Sequence, residues 1–198
     1  MKRLFLATLL TILAPHLVFA SMGSAYFFEP SIGYRNEQVK LTDKLNNLSQ
    51  FKMATPVYGL KLGLRTMMGI DFNLAGDYSS GSTEWSPVNE KVNFKHTSAA
   101  AQLGINALGL MKIYLGYAFL NNLEVEKGLL NSDLTLKGPA YQAGIQFRLF
   151  SAVSIGAQYN LNLFNQVSGI NYTNGEKTET YFNKLDAEDY SLNLSLSF

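Results

Sequence analysis

Tyr190-Ser191-Leu192-Asn193-Leu194-Ser195-Leu196-Ser197-Phe198, the end of the chain, alternates without a break between an apolar and a small polar residue. Successive side chains of a β-strand point to opposite faces, so this stretch is a strand. Tyr190, Leu192, Leu194, Leu196 and Phe198 fall on one face, and Ser191, Asn193, Ser195 and Ser197 on the other. A helical period fits none of it.

The same period of two recurs upstream, and with it the chain reads as eight strand-like segments. Tyr26, Phe28, Pro30, Ile32 and Tyr34 share a face in the first, Tyr58, Leu60, Leu62 and Leu64 in the second, and Ile70, Phe72, Leu74 and Tyr78 in the third. The fourth, around Thr97, Ala99, Ala101, Leu103 and Ile105, is rich in alanine and fits a helix as well. Met111 to Phe119, Tyr141 to Leu149 and Val153 to Leu163 give the fifth to seventh. Short turns around Met67-Met68, Leu108-Gly109 and Phe150-Ser151 alternate with long connections at 36–55, 79–95, 121–137 and 164–189. In the first of these, Leu41, Leu45 and Leu48 lie at helical spacing, compatible with a short surface helix or with a partly ordered loop.

The apolar face carries no charged residue in any segment, whereas Glu29, Arg35, Lys61, Arg65, Asp71, Asp77, Lys112 and Arg148 all lie on the other. That second face is also rich in Gly, Ala and Ser, which suits the inside of a narrow barrel. The expected fold is therefore all-β, an eight-stranded antiparallel up-and-down transmembrane β-barrel with its apolar face toward lipid. A soluble meander has no reason to sort short turns to one end and long loops to the other.

Lys2 and Arg3 precede an apolar run, Leu4 to Leu13, and the small-residue pattern Val18-Phe19-Ala20. The run is too short for a membrane helix of about 20 residues and has the flanks of a signal peptide. Residues 1–20 are assigned to it and 21–198 to the barrel, with cleavage after Ala20 or, at the second small-residue pattern, after Ala25. The charge of +1 gives no basis for binding nucleic acid, and the absence of cysteine excludes disulfides and thiolate chemistry.

An interior charge plug is expected from Glu29, Lys61, Arg65, Asp71, Lys112 and Arg148, with Gln146, Gln158 and Asn193 taking up remaining hydrogen bonds. Counting Arg35 and Asp77 as well, this interior holds more cations than carboxylates and should favour anions if it conducts. Asp186, Glu188 and Asp189 are read as a solvated acidic loop, not a calcium site, since no loop motif accompanies them. No catalytic, cofactor or metal residue is assigned. Trp85, the single tryptophan, sits in the second long connection, at the membrane interface or against a partner.

The chain as a whole resembles the small OmpA/OmpX-like barrels of Gram-negative bacteria. Tyr190, Leu192, Leu194, Leu196 and Phe198 are similar to the C-terminal assembly signal of that family. The resemblance implies residence in the cell outer membrane, contact with its lipid and lipopolysaccharide, and insertion by the barrel assembly machinery. A monomer is expected. Function is read as a non-catalytic barrel anchoring surface loops for envelope structure or surface interaction, with a narrow solute pore and a lipid A-modifying enzyme as alternatives. The last rests on His96 and Ser98, whose His-x-Ser spacing resembles that of the lipid A deacylases. Here both residues face inward and lack an acidic partner at a matching spacing, so His96 is read as an interior polar residue.

Overall fold

Strict alternation forces extended chain, and in the computed structural model nearly every segment is strand. Residues 24–86, 90–107, 110–126, 133–150, 152–169 and 172–198 are described. The signal-peptide reading of residues 1–20 therefore lies outside them. The elements are β1 (Ser24–Asp43), β2 (Leu48–Thr66), β3 (Ile70–Ser86), β4 (Glu90–Ala107), β5 (Met111–Val125), β6 (Leu134–Lys137), β7 (Ala140–Arg148), β8 (Val153–Asn162), β9 (Gln166–Gly169), β10 (Tyr172–Lys177), a short helix α1 (Thr178–Tyr181), and β11 (Phe182–Leu196).

Eight antiparallel strands close the barrel in the order β1, β2, β3, β4, β5, β7, β8, β11, with β11 returning to β1. The last residue completes the closure: Phe198 N–H donates to Phe28 O at 3.0 Å and Phe28 N–H to Phe198 O at 3.2 Å. The alanine-rich fourth segment is the strand β4, and Ala100, Ala118 and Ala140 pack together inside it and its neighbours.

The four long connections are shorter than expected. β1 runs on to Asp43 and β2 starts at Leu48, so the segment around Leu41, Leu45 and Leu48 forms no helix but the end of a hairpin. Its turn is tied by Asp43, whose carboxylate accepts from the Leu45 and Asn47 amides at 2.8 Å each, with Asn46 in the left-handed region. β3 likewise extends to Ser86 and β4 starts at Glu90. Beyond Gly138-Pro139 and Leu163–Asn165, β6 and β9 continue the wall begun by β7 and β8, and β10 pairs with β9. Pro139 has no N–H to give the ladder. The wall is held across the break by Leu163 N–H to Pro139 O at 2.8 Å and Asn165 N–H to Lys137 O at 2.9 Å.

A ring of exposed tyrosines divides the barrel: Tyr34, Tyr58, Tyr78, Tyr117, Tyr141, Tyr159 and Tyr190 all point outward. Tyr58 stands opposite Tyr78, Tyr117 opposite Tyr141, and Tyr159 opposite Tyr190. On the short-turn side of this ring the outer face is apolar, including Ile32, Leu62, Phe72, Leu103, Leu115, Phe147 and Leu194. From Tyr26 to Tyr34 the belt rises roughly 20 Å at about 3.3 Å per residue and the usual strand tilt, close to a barrel's lipid-facing band. On the long-hairpin side the polarity inverts: Val39, Leu41, Phe51, Met53, Val92, Phe94, Leu123, Val125, Leu136, Phe164 and Val167 are buried inside as one apolar core. Between β4 and β5 the register shifts at Ala99/Ala100, and Phe119 and Leu120 both face outward. That bulge carries Leu123 and Val125 to the inside.

Candidate functional site in the barrel interior

Two polar layers fill the interior below the apolar core. The layer nearer the short turns is built by inward residues of β1, β2, β3, β5, β7 and the chain end. Asp71, with no exposed surface, accepts from Arg65 Nε at Oδ1 (2.8 Å) and from Nη2 at Oδ2 (3.0 Å), and Lys112 Nζ lies 3.1 Å from the same Oδ2. Phe27 fills the space between these cations, 5.5 Å from the Arg65 guanidinium and 4.8 Å from Lys112 Nζ. Glu29 is held chiefly by neutral donors, Gln146 Nε2 at 3.1 Å and Ser197 Oγ at 3.0 Å, with Lys61 Nζ at 3.8 Å.

The six charged residues expected here thus separate into two pairings and one bystander. Arg148 is half-buried and makes no side-chain ion pair among the described residues. It lines a cavity of about 10 Å³, room for no more than one water, together with Glu29, Arg65 and Lys112. Gln146 serves Glu29 as expected, but Gln158 and Asn193 do not. Gln158 accepts from Tyr114 Oη at 2.9 Å, and Asn193 donates to Ser191. Their registers place both a layer too high to reach the carboxylates.

The second layer lies at and just above the tyrosine ring, and sequence reasoning missed most of it. Arg35 Nε stands 3.4 Å from Asp189 and its Nη2 3.5 Å from Asp77. His96 Nδ1 is 2.7 Å from Glu37 Oε2, and its Nε2 meets Asn121 Oδ1. Asn121, Asn160, Asn162 and Gln158 continue the network. The sequence pattern puts Glu37 and Asp189 in connections, because they stand beyond the last outward tyrosine of their segments; in the structure both are inward strand residues. They bring the interior carboxylates level with the cations, so the expected anion preference loses its basis. The charges are instead sorted by height. Lys61, Arg65, Lys112 and Arg148 against Glu29 and Asp71 leave the lower layer positive, whereas Arg35 against Glu37, Asp77 and Asp189 leaves the upper one negative.

The remaining candidates resolve as follows. Ser98 Oγ donates to Asp77 at 3.4 Å and is not bonded to His96, whose two ring nitrogens are already engaged. His96 and Ser98 are therefore not paired as base and nucleophile. The acidic cluster is split by strand alternation. Asp186 faces out to Lys184, Glu188 faces out to Tyr159, and Asp189 faces in. Tyr190, Leu192, Leu194, Leu196 and Phe198 all lie on the outer face of β11 and its end, and the Phe198 ring is 6.4 Å from Phe28. The side chain of Trp85 and the turn residues at 108–109 and 151 lie outside the described residues.

No protein-family model matches the chain, and neither does a curated protein. Solved structures do match. Ail, the attachment invasion locus protein of Yersinia pestis, aligns over 87% of this chain and 98% of its own at 16% identity and a TM-score of 0.56. Neisserial surface protein A aligns over 89% and 99% at 17% identity and a TM-score of 0.55. Outer membrane protein AlkL, determined in lipid bilayers, aligns over 87% and 90% at 15% identity and a TM-score of 0.54. The fold is that of the small outer-membrane barrels, and the apolar belt with its tyrosine ring is the surface such a barrel turns toward lipid.

Proposed function

We propose that the protein is a non-catalytic outer-membrane anchor that holds a rigid polar rim outside the cell, with the short turns in the periplasm. One observation carries this reading: the lumen is filled along its length. Two hydrogen-bonded polar layers occupy the membrane level and the level above it, and an apolar core stoppers the outer end. A solute would have to displace paired charges and a packed core together. Above the ring the hairpins present charges of alternating sign. Lys52 stands opposite Glu84, which stands opposite Lys91, while Lys95 pairs with Glu126. Ail has been crystallised with the heparin analogue sucrose octasulfate. Alternation of this kind gives no cationic field for such a polyanion, so a contact of mixed polarity with another surface molecule fits this rim better.

Conductance in planar bilayers tests the reading. The purified protein should leave the membrane silent at moderate voltage. A steady unitary current from the folded wild type would refute the plug and favour the narrow-pore alternative.

A further inference from the structure

The upper polar layer fixes the hydrogen-bonding state of His96 from a distance. Asn160 Nδ2 donates to Asp189 Oδ1 at 2.6 Å, and Asn162 Nδ2 donates to Asp189 Oδ2 at 3.0 Å. A carboxylate only accepts, so both amides must turn their NH₂ groups toward it and their carbonyls away. The Asn162 carbonyl then accepts from Asn121 Nδ2 at 3.0 Å, which turns the Asn121 carbonyl onto His96 Nε2. That nitrogen must carry a hydrogen. In a neutral ring, Nδ1 is then an unprotonated lone pair, and it faces Glu37 Oε2 at 2.7 Å. Two acceptors do not stand at that distance with nothing positive between them.

A proton on His96 is one such positive group, and two further observations favour a metal ion over it. Glu37 Oε1 is buried and has no hydrogen-bond partner among the described residues, so the carboxylate has coordinating capacity to spare. With all three carboxylates ionised, the layer also carries Glu37, Asp77 and Asp189 against Arg35, a deficit of two positive charges beneath an apolar core. A proton on His96 would make up half of it; a divalent cation makes up all of it. One ligand atom each from Glu37, His96 and Asp189 lies within 4.8 Å of the others.

We infer that Glu37, His96 and Asp189 bind one divalent transition-metal ion, of the zinc and copper class that accepts imidazole and carboxylate together. His96 Nδ1 is the nitrogen ligand. Its other N–H is held by Asn121, the outer-shell partner that sets the tautomer of a metal-ligating histidine. Tetrahedral ligands at about 2.0–2.2 Å from the metal stand roughly 3.4 Å apart, so the Glu37–His96 pair, now 2.7 Å apart, opens by roughly 0.7 Å as the three ligand atoms, within 4.8 Å of one another, converge on the ion. Arg35 keeps its pairings with Asp77 at 3.5 Å and with Asp189 at 3.4 Å. The Phe164 ring, 6.4 Å from His96, and the core above it enclose the site, so the ion enters as the barrel folds.

The test is to fold the full chain into lipid vesicles with equimolar Zn²⁺, strip free ion on a chelating resin, and measure retained zinc. Wild type should keep about one ion per chain, while Glu37→Gln and His96→Gln, folded as judged by heat-modifiable gel mobility, should retain at least about tenfold less. A wild type that keeps no zinc, its layer closed by a proton alone, overturns the site, as does undiminished zinc in both variants. If the variants do not fold, a His16→Ala chain decides, because His96 is then its only histidine. Bound Cu²⁺ should show the remote-nitrogen modulation of an imidazole in pulsed EPR, and copper bound without that signal refutes the assignment.

Discussion

Asp71 and Glu29 look equivalent in the sequence, but the structure makes them unequal, and replacing each by its amide measures the difference. Asp71→Asn keeps the shape and removes the carboxylate that lies 2.8 Å from Arg65 and 3.1 Å from Lys112. The new amide also points a donor at groups that can only donate. Breaking one side of a fully buried pair costs about 3–5 kcal/mol. The Arg65 side chain is 29% exposed, so solvent screens part of that loss and the lower end, about 3 kcal/mol, is expected. Glu29→Gln is different, because its bonds come from Gln146 and Ser197, and Lys61 at 3.8 Å is beyond hydrogen-bond distance. An amide oxygen retains one of those acceptors, for a cost of about 1 kcal/mol. The gap of about 2 kcal/mol is roughly a thirtyfold difference in the folded-to-unfolded ratio. Urea titration in vesicles, read by intrinsic fluorescence at constant m-value, gives both numbers. A Glu29→Gln variant as unstable as Asp71→Asn, or more so, would show that the lower layer is held by overall charge balance and not by the close pairing at Asp71.

Gly144 lies under the Tyr114 ring, which also carries Lys61 Nζ at 4.3 Å and donates to Gln158, so a Cβ at 144 would overlap that ring. Gly144→Ala should lose about 1–3 kcal/mol in the same urea titration, whereas Gly76→Ala, whose Cβ meets nothing closer than 3.8 Å, should stay within about 0.5 kcal/mol. At the tip of the first hairpin, the Asn47 side chain and the Asn47 and Leu45 amides hold the Asp43 carboxyl below its ordinary range. Its contribution is therefore present above about pH 4, the unfolded value, and is lost as pH falls through the lower folded one. Exchange protection of the Leu45 and Asn47 amides should fall on that acid limb alone, and Asp43→Asn should remove the pH dependence; unchanged protection in acid would contradict the turn assignment.

The belt was legible because lipid tolerates no lapse in alternation: a single charge on the outer face of Leu192 or Leu62 would be penalised, so the pattern is written in full. The upper barrel was not legible as strand, although its signal is in the sequence. Ile32 and Tyr34 are apolar at even positions, and Val39 and Leu41 are apolar at odd ones, while on the facing strand Phe51 and Met53 give way to Tyr58 and Leu60. A reading that follows one face sees the pattern stop at Asn36 and resume at Tyr58, and supplies a loop between. Following both faces recovers the hairpin, and with it the inward positions of Glu37 and, on β11, Asp189. The shift at Ala99/Ala100 against Leu120 has no sequence marker, since an extra residue in a strand leaves only a local change of phase.

That inversion has one physical cause and one consequence for the outer end. Below the tyrosines the outside faces hydrocarbon, so the inside is where polar groups go, and they persist there only by pairing with one another. Above the tyrosines the outside faces water, and the ordinary arrangement of a soluble protein returns, with Val39, Phe51, Met53, Phe94 and Leu123 as its core. The hairpins beyond the ring are consequently not free loops on a pore but the walls of a packed domain. Their exposed residues, Lys52, Glu84, Lys91 and Lys95 among them, are held in strand register on that core. On the proposed role, a rim built this way would bind with little ordering cost, because its backbone is fixed before any partner arrives. The side chains such a rim offers are those that alternate outward at fixed spacing, and a core substitution such as Phe94→Ala should loosen them without altering any of them, read as lost amide-exchange protection in β2–β4 beyond the tyrosine ring; unchanged protection there would refute the packed-domain reading.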